Sequence, residues 1–186
     1  ESFTVARLEA LIQSARLINA SAYSAVGSDL ARDIRALAQL EASYQFGLFN
    51  STIPAEILQR FPVAAISVEQ VYAAALSRPF QGRLLSEWAA SVADDRMRRI
   101  REAVRVGYVS NETTADIVRR IRGTRAMRYG DGIIEADRRS LTAVVRTALS
   151  HTAATARTEF YNKNLDLIKA ERWTSTLDTR TTPICI

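Results

Sequence analysis

The chain has 186 residues, a formal charge of +5, 47% hydrophobic residues, and a single cysteine and a single histidine, Cys185 and His151. This size and apolar content fit one large domain or two small ones and exclude a disordered chain. The single cysteine and histidine exclude an intrachain disulfide and a zinc site built from them, and the sequence has no run of about 18 apolar residues able to cross a bilayer.

Only 7 Gly and 4 Pro interrupt the chain. So few breakers predict long helices and a mainly α fold, an elongated multi-helix assembly with one small C-terminal β strand and turn. Residues 3–26 read as an amphipathic helix, with Val5, Leu8, Ile12, Ala15, Ala22 and Val26 on one stripe. Gly27-Ser28 is predicted to break it. A second helix over 29–49 aligns Leu30, Ile34, Leu37, Tyr44 and Leu48.

Pro54 opens a short helix that Pro62 ends, because the residue before a proline avoids the α region. Ser67-Val68-Glu69-Gln70 has the spacing of a capping box, with Ser at the N-cap and Gln at the third helical position. That helix is predicted to stop near Arg78-Pro79. Gln81 to Val106 reads as a long helix with Leu84, Leu85, Trp88, Val92, Ile100 and Val104 on its apolar side, and Gly107 just past its end. Ser110 or Asn111 caps a shorter helix running to Gly123. Thr124 to Gly132 is loop-like and is expected to be most flexible at Gly130-Asp131-Gly132. Residues 135–170 predict the longest helix, and Glu171 to Leu177 a strand. A division near residues 61–67 separates an N-terminal helical arm, 1–62, from a module spanning 63–186.

Residues 1–93 carry 7 basic and 8 acidic side chains, residues 94–186 carry 18 and 12. The second half is therefore the one to meet an anionic partner. Arg98, Arg101 and Arg105 share a helix face, and Arg119, Arg120, Arg122, Arg125 and Arg128 form a second cluster. Such clusters neutralise phosphates, although Asp94, Asp95, Glu102 and Asp116 lie close enough to absorb much of the charge. No aromatic residues interleave with the arginines in the manner of a base-stacking surface.

Thr147, His151, Thr155, Thr158 and Asn162 recur at helical spacing on the last helix. A row of small polar groups fits a hydrogen-bonded layer between packed elements. Val145, Leu149, Ala156, Phe160 and Leu167 supply the opposite, apolar side. His151 has no carboxylate three or four residues away and no nucleophile beside it, so a structural role outweighs a general base. No acid, base and metal set supports an enzyme, and no cofactor is implied. Asp178-Thr179-Arg180-Thr181 reads as a rigid turn in which Asp and Thr cap their own backbone.

The order Ala156-Arg157-Thr158-Glu159-Phe160-Tyr161-Asn162, then Trp173-Thr174-Ser175-Thr176, then Asp178-Thr179-Arg180-Thr181 and Cys185, resembles the phage head-morphogenesis family of minor head proteins (Mu F-like). In that family an Arg-Thr-Glu helix precedes a tryptophan strand, an Asp-x-Arg-Thr turn and a cysteine. The resemblance covers about Val71 to Cys185 and includes Ser77-Arg78-Pro79-Phe80, Arg105-Val106-Gly107-Tyr108, Ile117 to Gly123 and Val145-Arg146-Thr147-Ala148. The sequence stops before the place where an Asp-Gly stretch follows the cysteine in the family, and the first 60 residues match none of its motifs. We expect the natural protein to continue past Ile186.

What the resemblance implies is a structural virion component. Such a protein sits in several copies at the portal vertex, inside the head, binds the portal protein and other head proteins, and touches packaged DNA. It acts in procapsid assembly, DNA packaging or ejection, with the host cytoplasm as its site of assembly and no membrane role. Its family-motif residues here are Arg146, Thr147, Arg157, Thr158, Glu159, Asn162, Trp173, Asp178, Arg180, Thr181 and Cys185. The alternatives are a nucleic-acid-binding protein, using Arg98, Arg101, Arg105, Arg119, Arg120 and Arg122, and a helical targeting module of a larger enzyme or toxin.

Overall fold

A computed structural model describes residues 5–79 and 82–171. The described chain is mainly α: α1 Val5–Thr52, α2 Ala55–Arg60, α3 Val68–Ser77, α4 Leu85–Val109, α5 Thr114–Arg122 and α6 Ile133–Lys163. The expected C-terminal strand, with Trp173, Asp178, Arg180, Thr181 and Cys185, lies outside the described residues.

The expected break at Gly27-Ser28 does not occur. One helix of 48 residues runs through it, about 72 Å long at 1.5 Å per residue. A glycine costs a helix interior only about 1 kcal/mol relative to alanine, and no proline lies within α1. Ser28 returns its hydroxyl to the Ser24 carbonyl at 3.1 Å. The buried stripe continues across the site through Asn19 to Leu30 and Ile34, so packing on both sides outweighs the local penalty.

The stripe also has a different register from the one expected. Its buried members are Leu30, Ile34, Ala38, Ala42 and Gln45, whereas Tyr44 is 60% and Leu48 41% exposed. The alanines matter because small side chains let a neighbouring helix approach closely. Ala38 and Ala42 pack with Ala156 and Phe160 of α6 in one core cluster. Phe49 closes that cluster, its ring edge-on to Phe160 with centroids 4.9 Å apart. A second cluster joins Leu30 and Ile34 to Ala75, Leu85 and Ala148. Both clusters combine residues from before and after position 62, and α6 packs against α1, α3, α4 and α5.

The remaining boundaries follow from caps. The Ser67 box forms as expected: its hydroxyl accepts from the Gln70 N–H at 3.1 Å and its own N–H donates to Gln70 Oε1 at 3.2 Å. Helix α4 starts at Leu85, later than expected, where Glu87 accepts from the Leu84 N–H at 2.8 Å. It also runs past Gly107 to Val109. A glycine suits this place inside the helix because a Cβ there would collide with the Ile117 side chain of α5. Asn111, with φ of 53°, makes the left-handed turn instead. The N-cap of α5 is Thr113, not Ser110 or Asn111, and it shares a capping box with Asp116. Gly123 ends α5 in a left-handed conformation, φ 91°.

Helix α6 ends at Lys163, short of residue 170, and the reason is Asn164. Its side chain is buried and acts as a surrogate peptide for the irregular segment 62–67. Nδ2 donates to the Ala64 carbonyl at 3.0 Å and to the Phe160 carbonyl at 2.8 Å, while Oδ1 accepts from the Ala64 N–H at 2.7 Å.

Candidate functional site

The motif residues of the resemblance that lie within the described chain sit between Arg146 and Asn162 on α6. Glu159 receives a charge-assisted hydrogen bond from Arg78, just past the end of α3. Two of the segments that carry the resemblance, Ser77-Arg78-Pro79-Phe80 and Arg157-Thr158-Glu159, are thereby joined across 81 residues. Arg146 and Arg157 are exposed, and Asn162 is exposed as well.

Two members of the polar row on α6 are satisfied within their own helix. Thr147 and Thr158 donate back to the carbonyls of Ala143 and Ala154 in the same helix, at 2.9 and 3.0 Å. A helical threonine reaches the carbonyl four residues back without leaving its rotamer well. Thr155 is buried, His151 half-buried, and Thr158 and Asn162 face solvent. The most buried threonine is Thr152, which is off that row; it too donates backwards, to Ala148 at 2.9 Å. The apolar side is as expected, with Ala156 and Phe160 in one core cluster and Val145 and Leu149 packed on the other.

The arginines separate into two different environments. On α4, Asp95 is shared by Arg98 and by Arg99, the latter at 2.7 Å, and Arg105 pairs with Glu102 at 2.8 Å. Arg101 has no carboxylate partner among the described residues. On α5, Arg119 pairs with Asp116 at 3.1 Å and Arg120 with Glu112. Arg122 pairs with no carboxylate there. Its guanidinium lies over the Tyr129 ring, 4.7 Å from the centroid, and donates to the Tyr129 hydroxyl at 3.2 Å. An aromatic side chain thus joins the second arginine cluster after all. Tyr129 directly follows Arg128 in the sequence, but only the fold of the loop sets its ring against Arg122, seven residues earlier.

That loop is tied down at the point expected to be most flexible. Asp131 accepts from the Thr124 N–H at 2.8 Å and from its hydroxyl at 2.9 Å. The backbone hydrogen bond from Thr124 is the main reason the Asp131 carboxyl is held below its ordinary pKa. Arg139 reaches back from α6 to the Gly130 carbonyl at 3.0 Å. Arg128 and Tyr129 adopt successive left-handed conformations, φ 50° and 64°.

Two shallow clefts flank α5. One, of about 430 Å³, is of mixed sign: Glu112, Asp116 and Asp131 face Arg119 and Arg120. The other, of about 290 Å³, is lined by Arg119, Arg122 and Arg125 with Thr124 and Tyr129, and no carboxylate lines it.

A third polar group was not foreseen. Asp137 of α6, 4% exposed, faces Arg96 and Arg99 of α4, each at 3.6 Å. Arg96 also approaches the Tyr23 ring of α1 at 5.9 Å. Burial raises the Asp137 pKa, opposed by Arg99 and then Arg96. Burial likewise raises that of Tyr23, opposed by Arg96. The signal was Asp137 itself, a charge on the inward face of α6. Among the described residues no group of three His, Cys, Asp or Glu side chains could hold a metal ion, and no helix is long and apolar enough to cross a membrane.

No protein-family model, curated protein or solved structure matches this chain.

Proposed function

We propose that this chain is a non-enzymatic structural protein of a tailed-phage head, a minor head protein that binds the portal protein at the portal vertex. It works there in several copies beside other head proteins, during procapsid assembly, DNA packaging or ejection, and resides in the virion interior after assembly in the host cytoplasm. The observation that carries the reading is the Arg78–Glu159 contact. It joins two segments of the family resemblance that are far apart in the chain, as expected if they form one structural unit.

The shape of the helices agrees with docking. Helix α1 packs on α3, α4 and α6 with one side and presents Leu40, Tyr44 and Leu48 to solvent on successive turns. A row of exposed apolar side chains on a rigid helix is what a groove on another helical protein recognises. The test is co-sedimentation of this chain with purified portal rings at low and moderate salt. A shared peak that is lost in Leu40→Glu/Tyr44→Glu supports the reading. Separate peaks for the wild-type chain at both salt concentrations remove it.

A further inference from the structure

We infer that the cleft formed by Arg119, Arg122, Arg125 and Tyr129, between α5 and the loop before α6, is a contact site for the phosphodiester backbone of a nucleic acid. This goes beyond portal docking and does not depend on it.

The first argument is charge left uncompensated. Most arginines on α4 already have a carboxylate within reach on their own helix, so an incoming phosphate would have to displace it. In the cleft, Arg122 and Arg125 have no carboxylate partner among the described residues, and Arg119 holds only an exposed one, Asp116. Exposed ion pairs of that kind contribute little and exchange readily. The acids of this corner, Glu112, Asp116 and Asp131, line the neighbouring cleft instead. The charges of the corner are therefore split: those lining one cleft are of both signs, and those lining the other are all arginines.

The second argument is preorganisation. Arg122 is held against Tyr129 by a ring contact and a hydrogen bond, which fixes the plane of its guanidinium. Tyr129 has a left-handed backbone, φ 64°, that turns the loop back toward α5. Its N–H donates to the Thr124 carbonyl at 2.8 Å, and Thr124 is anchored by Asp131. A planar donor held in place loses less entropy on binding phosphate than a free arginine. The partly exposed tyrosine ring adds a surface on which an unpaired base can stack. Phosphate donors beside an aromatic face fit a single strand better than a duplex.

The experiment is fluorescence anisotropy with a labelled single-stranded oligonucleotide and its duplex, titrated across salt. For the wild type, log K should fall linearly with log salt. Replacing Arg122 and Arg125 by Gln should lower the slope by about 1.4 on the single strand, two contacts at about 0.7 each. Tyr129→Leu should weaken single-strand binding more than duplex binding, and Tyr129→Phe should retain the stacking. Arg98→Gln/Arg105→Gln should leave the slope unchanged. Circular dichroism on each variant separates lost binding from lost fold. A slope unchanged in folded Arg122→Gln/Arg125→Gln overturns the inference. So does a wild-type chain that binds neither oligonucleotide at low salt, or one that binds anionic phospholipid vesicles but no oligonucleotide.

Discussion

Arg78 and Glu159 form an ion pair between the end of α3 and the last turns of α6, with the carboxylate the more enclosed partner, 26% exposed against 44%. It ties the end of α3 to α6 across 81 residues, next to the core cluster that holds Phe160.

A double-mutant cycle on Arg78→Ala and Glu159→Gln should give a coupling of about 0.5–1 kcal/mol, the upper part of the range for partly exposed pairs. Urea denaturation at low salt measures it. The coupling should shrink at high salt, because the pair is open to solvent on one side. A coupling of zero at low salt would mean that the contact does not hold α3 in place.

Asn164→Ala should destabilise the chain by about 2–3 kcal/mol, since it strands both backbone groups of Ala64 and removes a bond to Phe160. Asn164→Asp should be comparably damaging, because a carboxylate cannot donate to the two carbonyls. Amide hydrogen exchange should show the loss first at Ala64, where the wild-type N–H is protected.

Phe160→Ala should cost about 3–5 kcal/mol, as for other fully buried phenylalanines. Tyr44→Ala, on the outer side of α1, should stay within about 0.5 kcal/mol. Calorimetric melting of both variants checks that α1 turns Ala38 and Ala42, and not Tyr44, toward the Phe160 cluster. A large loss for Tyr44→Ala with little for Phe160→Ala would reverse that orientation.

Asp137 should make the chain less stable as pH rises. Its folded pKa lies above the ordinary value of 3.8, with burial the main cause, so the folded state holds the proton more tightly than the unfolded state. The cost of ionising it is absent below the unfolded value and complete above the folded one. The stability of Asp137→Asn relative to wild type should therefore rise with pH across that window and then level off. Asp116, Asp131 and Glu135 act in the opposite sense. Their folded values are lowered, so their contribution is present above the ordinary range and lost as pH falls through the folded values. Urea midpoints for wild type and Asp137→Asn at several pH values separate the two effects.

Local signals were readable wherever they were self-contained. Ser67 and Gln70 cap a helix because the partners are three residues apart, and Pro54 and Pro62 bound a helix through their own rings. The apolar side of α6 was readable because Val145, Leu149, Ala156 and Phe160 repeat at helical spacing. The candidate site was only half readable. The arginines of α5 are plain in the sequence, but whether each is neutralised depends on which carboxylate the fold brings near. Tyr129 joins Arg122 only because a left-handed turn folds the loop back.

Few breakers, helical periodicity and capping residues determined by themselves that this is a helical protein, since each acts over at most a few residues. Tertiary structure alone decided that α1 runs unbroken past Gly27 and that it turns Ala38 and Ala42 inward in place of Tyr44 and Leu48. It also decided that Asn164 ends α6 and that Asp137 is buried between two arginines. The physical reason is one of scale. A glycine or a misplaced tyrosine shifts local preference by about 1 kcal/mol, whereas burying one large side chain against a second helix contributes about 1.5–3 kcal/mol.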